Sequence, residues 1–254
     1  MIEYSKPRKY VIKMKLFLCG GGSGSNIITA LNKFVKVIDK TKPILYIPLA
    51  MDNIKYDSCY NWFKTELKLI NLNNFEMIKS SKELSAKNLN NYSAIFIGGG
   101  NTYKLLYELK QNNNYQKIKE YLTNDGIVFG SSAGAIIFGK NIDSCLLDDK
   151  NDINLKDTSS FNLLNNYSLL CHLQKQTFIN NLEYLKKYSI HNNLIYLPEN
   201  NIIFIDNRKI SILGNQNYVI FKNGQYMVRS FENFEEDIYN QTNNIKEGSE
   251  LLWT

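Results

Sequence analysis

The chain is poor in the residues that usually carry chemistry. Its 254 residues hold only 2 histidines and 4 cysteines, and Cys19, Cys59, Cys145 and Cys171 form no C-x-x-C pair. That excludes a zinc framework of the common spacings and reads as buried thiols in a reducing compartment rather than a disulfide scaffold. No apolar run reaches the length of a membrane span, and the basic stretch 1–15 lacks the apolar segment of a secretion signal. The net charge of +6 is mild and the lysines are scattered, so neither nucleic acid nor a membrane is expected as a partner. No Gly-Lys-Ser or Gly-Lys-Thr occurs, which excludes a P-loop. Gly20-x-Gly22-x-x-Ser25 lacks a third glycine, and no acidic residue closes the second strand, so a dinucleotide cradle is not expected either. What remains is a cytoplasmic protein with no cofactor and no metal, with homodimerisation left open.

What is present is alternation. Apolar strand patterns at Met14–Cys19, Pro43–Pro48, Ala94–Ile97 and Gly126–Phe129 are separated by helical stripes, such as Ile27, Leu31, Phe34, Ile38 and Tyr56, Tyr60, Phe63, Leu67. Strands alternating with helices predict an α/β fold: a doubly wound, mostly parallel sheet with helices on both faces. A polar, aspartate-bearing stretch 143–160 reads as a long loop. A strand at Tyr167–Cys171, a helix and short strands from Leu194 follow, closing in β-hairpins with Asn223-Gly224 as a turn. Residues 1–13 are polar and irregular, an extension of the kind an upstream start codon adds. With no repeat and no linker, residues 14–254 read as a single α/β catalytic domain.

The stretch Gly126–Lys140 organises the rest. An apolar strand end runs into Gly130-Ser131-Ser132-Ala133-Gly134 and then a helix-compatible run. Gly-x-Ser-x-Gly is the spacing of a nucleophile elbow, where small neighbours let the chain bend sharply and expose the hydroxyl of Ser132. A serine needs an adjacent base, and the base a carboxylate. His172, after an apolar strand, is the candidate base, while His191 sits in a polar turn and reads as solvated. The aspartate loop between Ser132 and His172 gives the order Ser, Asp, His. A second cluster, Gly98-Gly99-Gly100-Asn101-Thr102, also ends a strand and opens a helix. Its bare N–H groups are candidates for an oxyanion hole at Gly99 and Gly100 beside the Ala133 N–H, and the same residues also read as a tight turn with an Asn or Thr cap.

Gly98–Thr102 followed by Gly130–Ala135, then Cys171-His172, Leu197-Pro198-Glu199 and a closing hairpin, resembles the dipeptidase E and cyanophycinase family of serine peptidases, from about Met14 to about Val228. The resemblance implies a fold like that of class I glutamine amidotransferases and a Ser-His-acid mechanism without metal. It also implies a serine exopeptidase acting on dipeptides or short peptides. By position it makes Ser132 the nucleophile and His172 the base. It aligns Asp149 best with the acid, with Asp143 and Asp152 as alternatives. The aspartyl-specific members resemble Ser-Ala-Gly-Ala-Asn at the elbow, and Ile136 stands here in place of that asparagine, which argues against a preference for N-terminal aspartate. Two other classes compete. An esterase-type serine hydrolase shares the elbow, though its base usually lies further along the chain. A binding protein that kept the fold without activity would hold Ser132 away from His172.

Overall fold

Period-two alternation builds the main sheet. Along Lys13–Cys19 (β1), Leu16 and Leu18 enter one apolar core while Phe17 and Cys19 enter another on the opposite face. The computed structural model describes residues 13–207 and 209–239. The extension expected at residues 1–13 lies, up to residue 12, outside the described residues, as does the chain beyond 239.

After β1 come α1 (Ile28–Val37), β2 (Ile44–Ile47), α2 (Tyr56–Lys68), β3 (Phe75–Met77) and α3 (Ser81–Ala86). Next are β4 (Ala94–Ile97), α4 (Thr102–Lys110), α5 (Asn114–Thr123), β5 (Asn124–Ser131) and the short α6 (Ala133–Ile136). The second half holds β6 (Ser168–Leu170), α7 (Lys175–Ser189), β7 (Leu194–Tyr196), β8 (Ile202–Asp206) and β9 (Lys209–Leu213). The described chain ends with β10 (Tyr218–Lys222), β11 (Gln225–Arg229) and α8 (Phe234–Tyr239).

Seven strands form one sheet in the order β3-β2-β4-β5-β1-β8-β9. The first five are parallel; β8 and β9 add an antiparallel hairpin at the β1 edge. The strands at the C-terminal end are thus divided, because β10 and β11 join β7 and β6 in a second, four-stranded sheet. Apolar residues of α1 and α2 cover one face of the main sheet. The other face packs against α3 to α6 and one face of the small sheet, whose opposite face is covered by α7.

Register is pinned by a row of rings. Tyr46, Phe96, Phe129, Phe17 and Phe204 are direct cross-strand neighbours on β2, β4, β5, β1 and β8. Phe96 and Phe129 stack at 4.9 Å with an interplanar angle of 8°, and Phe17 lies 4.6 Å from Phe204. A slip of one residue would turn every ring to the wrong face, and each such pair adds roughly 0.5–1.5 kcal/mol beyond its buried area.

The two sheets are joined at one end by the loop after β1. His172 N–H donates to the Gly20 carbonyl at 2.9 Å, Gly20 N–H to Asn201 at 3.0 Å, and Gly22 N–H to Glu199 at 2.9 Å. The glycines read as an incomplete cofactor cradle therefore form a structural seam. Gly21 has φ +118°, and a Cβ there would sit 2.1 Å from Cε1 of His172, so only glycine fits. The turn 198–201 is held by Asn201, fully buried, which donates to the Gln216 carbonyl at 2.7 Å and accepts the Gln216 N–H at 3.2 Å. Asn201→Ala removes both bonds to the Gln216 backbone and is expected to lower stability by about 1–2 kcal/mol, read from urea unfolding midpoints.

Candidate active site

Five loops converge at the carboxyl ends of strands, which is where open α/β sheets place their chemistry. Ser132 follows β5, Gly20–Gly22 follow β1, and Gly98–Gly100 follow β4. His172 and Glu199 follow β6 and β7 of the smaller sheet. The site is therefore assembled across the contact between the two sheets.

Ser132 has φ 51° and ψ −114°, outside the regions a serine ordinarily occupies. Such a conformation costs on the order of 1–3 kcal/mol and must be imposed by its surroundings. Part of the imposition is close packing: a Cβ on Gly134 would lie 2.2 Å from the Ile97 carbonyl oxygen, so the elbow can press against the end of β4 only with glycine there. Ser132 N–H donates to the Cys19 carbonyl at 3.0 Å, and the Ser132 carbonyl accepts the N–H groups of Ala135 and Ile136 at 2.7 and 2.9 Å. Both sides of the bend are thus fixed.

The side chains form a relay. Ser132 Oγ lies 2.8 Å from His172 Nε2, and His172 Nδ1 lies 2.9 Å from Glu199 Oε1. The imidazole is half-exposed, and the Tyr196 hydroxyl donates to the His172 backbone carbonyl at 3.4 Å. A serine bonded to one ring nitrogen and a carboxylate bonded to the other is the arrangement that activates a hydroxyl for attack on an acyl carbon. It also removes the expectation for a binding protein whose serine is kept from its histidine.

The carboxylate that meets His172 is not one of those the sequence suggested. Asp149, favoured there, accepts the Thr102 N–H at 2.8 Å at the start of α4 and makes no bond to His172. Asp143 sits in a 3₁₀ turn, its N–H bonded to the Asn141 side chain, and Asp152 is exposed. The reason is topological. β7 pairs in parallel with β6, so the residues just past its end, Pro198-Glu199, come out beside the residue just past β6, which is His172. The available signal was the acidic residue directly after an apolar strand in Leu197-Pro198-Glu199. Asp148 lies within electrostatic reach of His172, and desolvation raises its own carboxyl above the usual range. His191 is exposed in the turn between α7 and β7.

Gly98 N–H and Asn101 N–H are taken by the carbonyls of Ile47 and Ala50, at 3.0 and 2.9 Å. Between them, the N–H groups of Gly99 and Gly100 have no backbone acceptor among the described residues. A Cβ on Gly99 would lie 3.1 Å from Ser132 Cβ, so this loop passes directly over the serine. Asn101 caps α4 by accepting the Lys104 N–H at 2.9 Å, so the turn-and-cap reading of this stretch holds as well.

A cavity of about 620 Å³ opens from Ser132 and His172. Ile136 does not line it; its side chain is 4 % exposed in the core, so the acid-preference argument passes from Ile136 to the cavity's own walls. The buried cysteines are no rivals to the serine: burial pushes the Cys19 thiol up to about 11, Cys171 and Cys145 well above their ordinary range, and Cys59 upward too, so all four stay protonated at neutral pH. If Glu199 orients the imidazole, Glu199→Gln should slow phosphonylation of Ser132 by a fluorophosphonate by on the order of 10²-fold or more, followed by intact mass. Asp149→Asn should leave that rate within about threefold.

Comparison with known proteins agrees with this architecture. The profile of peptidase family S51 matches residues 16–213. Peptidase E of Shewanella denitrificans is 30% identical over 134 residues, 52% of this chain and 54% of that protein. An uncharacterized peptidase of Pasteurella multocida is 30% identical over 137 residues, 50% of this chain and 64% of its own length. The match thus spans less than two thirds of either relative. Among solved structures, a candidate peptidase E from Listeria monocytogenes EGD-e superposes with a TM-score of 0.64 at 24% identity, covering 80% of this chain and 98% of its own. A peptidase from an acI-B1 actinobacterium superposes at 0.62 with 16% identity, covering 86% and 94%. These two likenesses are of fold, whereas the profile spans most of the chain, strained serine and seam included: the chain belongs to peptidase family S51.

Proposed function

We propose that this protein is a serine exopeptidase that hydrolyses dipeptides or short peptides, with Ser132 as nucleophile, His172 as base and Glu199 as the orienting acid. The observation that carries the reading is the unbroken relay from Ser132 Oγ through both ring nitrogens of His172 to Glu199, at 2.8 and 2.9 Å. The Ser132 hydroxyl attacks the scissile carbonyl as His172 Nε2 takes its proton. The oxygen of the tetrahedral intermediate then faces the N–H of Ala133 and those of Gly99 and Gly100, a reading supported by the absence of a backbone acceptor for them among the described residues. The imidazolium passes its proton to the leaving amine, the C–N bond breaks, and an ester of Ser132 remains. Water, deprotonated by the same Nε2, hydrolyses the ester and restores the serine. Glu199 accepts from Nδ1–H throughout, fixing the tautomer and stabilising the imidazolium without taking the proton.

Four free, buried cysteines suit a cytoplasmic setting, and no described helix is long and apolar enough to cross a membrane. Ser132→Ala should lower kcat on dipeptides by on the order of 10⁴-fold, because the relay acts as a unit, while Ser131→Ala should stay within about tenfold. His172→Ala should match Ser132→Ala, and His191→Ala should match the unmodified enzyme. Turnover of simple esters with no cleavage of any peptide would assign an esterase instead.

A further inference from the structure

The cavity beside Ser132 has a direction. Its lining joins Ser132 and His172, through the Gly99–Gly100 loop, to residues of β2 and α2. In the main sheet β2 lies beyond β4 as seen from β5, whereas His172 and Glu199 come from the small sheet, joined on the β1 side. The reaction has a direction too. The leaving amine must lie by the imidazole that hands it a proton, so the acyl half of the substrate lies on the opposite side, past the Gly99 and Gly100 N–H groups. The cavity is therefore where the side chain of the residue supplying the scissile carbonyl must go.

Its walls are apolar. Tyr46, Met51, Cys59 and Trp62 line the far part. Tyr46 is 2 % exposed and stacked on Phe63 at 4.3 Å, and Trp62 packs against the same two rings. The polar heads in this wall are the Tyr46 hydroxyl, the Cys59 thiol and the Trp62 indole N–H, all uncharged, and burial pushes the tyrosine and the thiol upward. Lys55 and Ser58 also line the cavity, but both are exposed, on the turn and first part of α2 at its rim. A carboxylate carried to the far end would lose its hydration and find no buried cation among these lining residues, whereas a ring or branched aliphatic chain would be desolvated against rings.

On the reading that this chain is a serine peptidase, we infer that the cavity is the acyl-side specificity pocket and selects a large apolar or aromatic N-terminal residue, with Tyr46 and Trp62 as its determinants. Burying a phenylalanine-sized side chain in place of a methyl group should raise kcat/KM by roughly ten- to a hundredfold.

The test compares kcat/KM for Phe-Leu, Leu-Leu, Ala-Leu and Asp-Leu in the unmodified enzyme, Trp62→Ala, Ser58→Trp and Lys55→Met. Phe-Leu should lead Ala-Leu by tenfold or more, with Asp-Leu the poorest. Ser58→Trp, at an exposed position that does not threaten folding, should fill the space and cut the Phe-Leu to Ala-Leu ratio at least tenfold. Trp62→Ala should cut it likewise. A preference for Asp-Leu that vanishes in Lys55→Met would overturn the inference, as would a Phe-Leu to Ala-Leu ratio indifferent to Ser58→Trp. A second readout needs no turnover: inactivation by diphenyl α-aminoalkylphosphonates carrying a benzyl, methyl or carboxymethyl side chain. If no peptide is cleaved but the benzyl compound phosphonylates Ser132 at least tenfold faster than the others, the peptidase reading fails and the pocket assignment stands. Equal rates for the three compounds would sink the pocket while leaving the peptidase reading to the dipeptide assay.

Discussion

The backbone of Ser132 is the constraint on which the rest depends. At φ 51° and ψ −114° it would relax in isolation, and it does not relax because β5, β4 and β1 all press on it. The Gly134 contact with the end of β4 and the Ser132 N–H bond to Cys19 convert the packing of a large apolar core into one side-chain direction. A strain of a few kcal/mol is affordable only where many buried residues hold the same geometry, which explains a nucleophile placed at the middle of the sheet rather than at its edge. His172 likewise stands in the left-handed region, at φ 60°, while its place beside Glu199 comes from the strands. The two residues arrive on the ends of two neighbouring parallel strands, so their separation is set by strand spacing.

Much of this was legible in the sequence, and the rest was hidden for specific reasons. Ala94–Ile97 is a four-residue apolar run bounded by a serine and a glycine triplet, and it is a strand over those same residues. The elbow was legible because its chemistry demands small residues at fixed offsets. β3 and α3 were not predicted, since three residues of strand and one and a half turns of helix are too short to show a period. The division of the later strands between two sheets was also invisible: Ile202–Asp206 and Leu194–Tyr196 have the same texture, and partner choice is a tertiary decision. Glu199 was hidden for the same reason. Reading the acid from chain order favours the aspartate loop, whereas the pairing of β6 with β7 brings forward a residue that lies after the histidine in the chain. Asp149 has its own structural use at the start of α4.

The glycine loop after β1 illustrates how one sequence pattern serves different physics. Gly20–Gly22 has the look of a phosphate cradle, yet its N–H groups at Gly20 and Gly22 are spent on the carbonyls of Asn201 and Glu199. What it accommodates is not a ligand but the imidazole of its own chain. The seam makes the relay a property of two sheets held in register, and it explains why a turn as remote from Ser132 in sequence as 198–201 is built around a fully buried asparagine.

The row of rings from Tyr46 to Phe204 has a consequence at the mouth of the site. Its terminal member is also a wall of the cavity, so that wall is the outermost tile of a close-packed interior. Such a wall has low compressibility and few alternative rotamers, unlike the methionine-rich surfaces that mould themselves to many partners. Against that ring the shape is fixed, and plasticity comes from Met51 beside it and from the rim, where Lys55 and Ser58 face water.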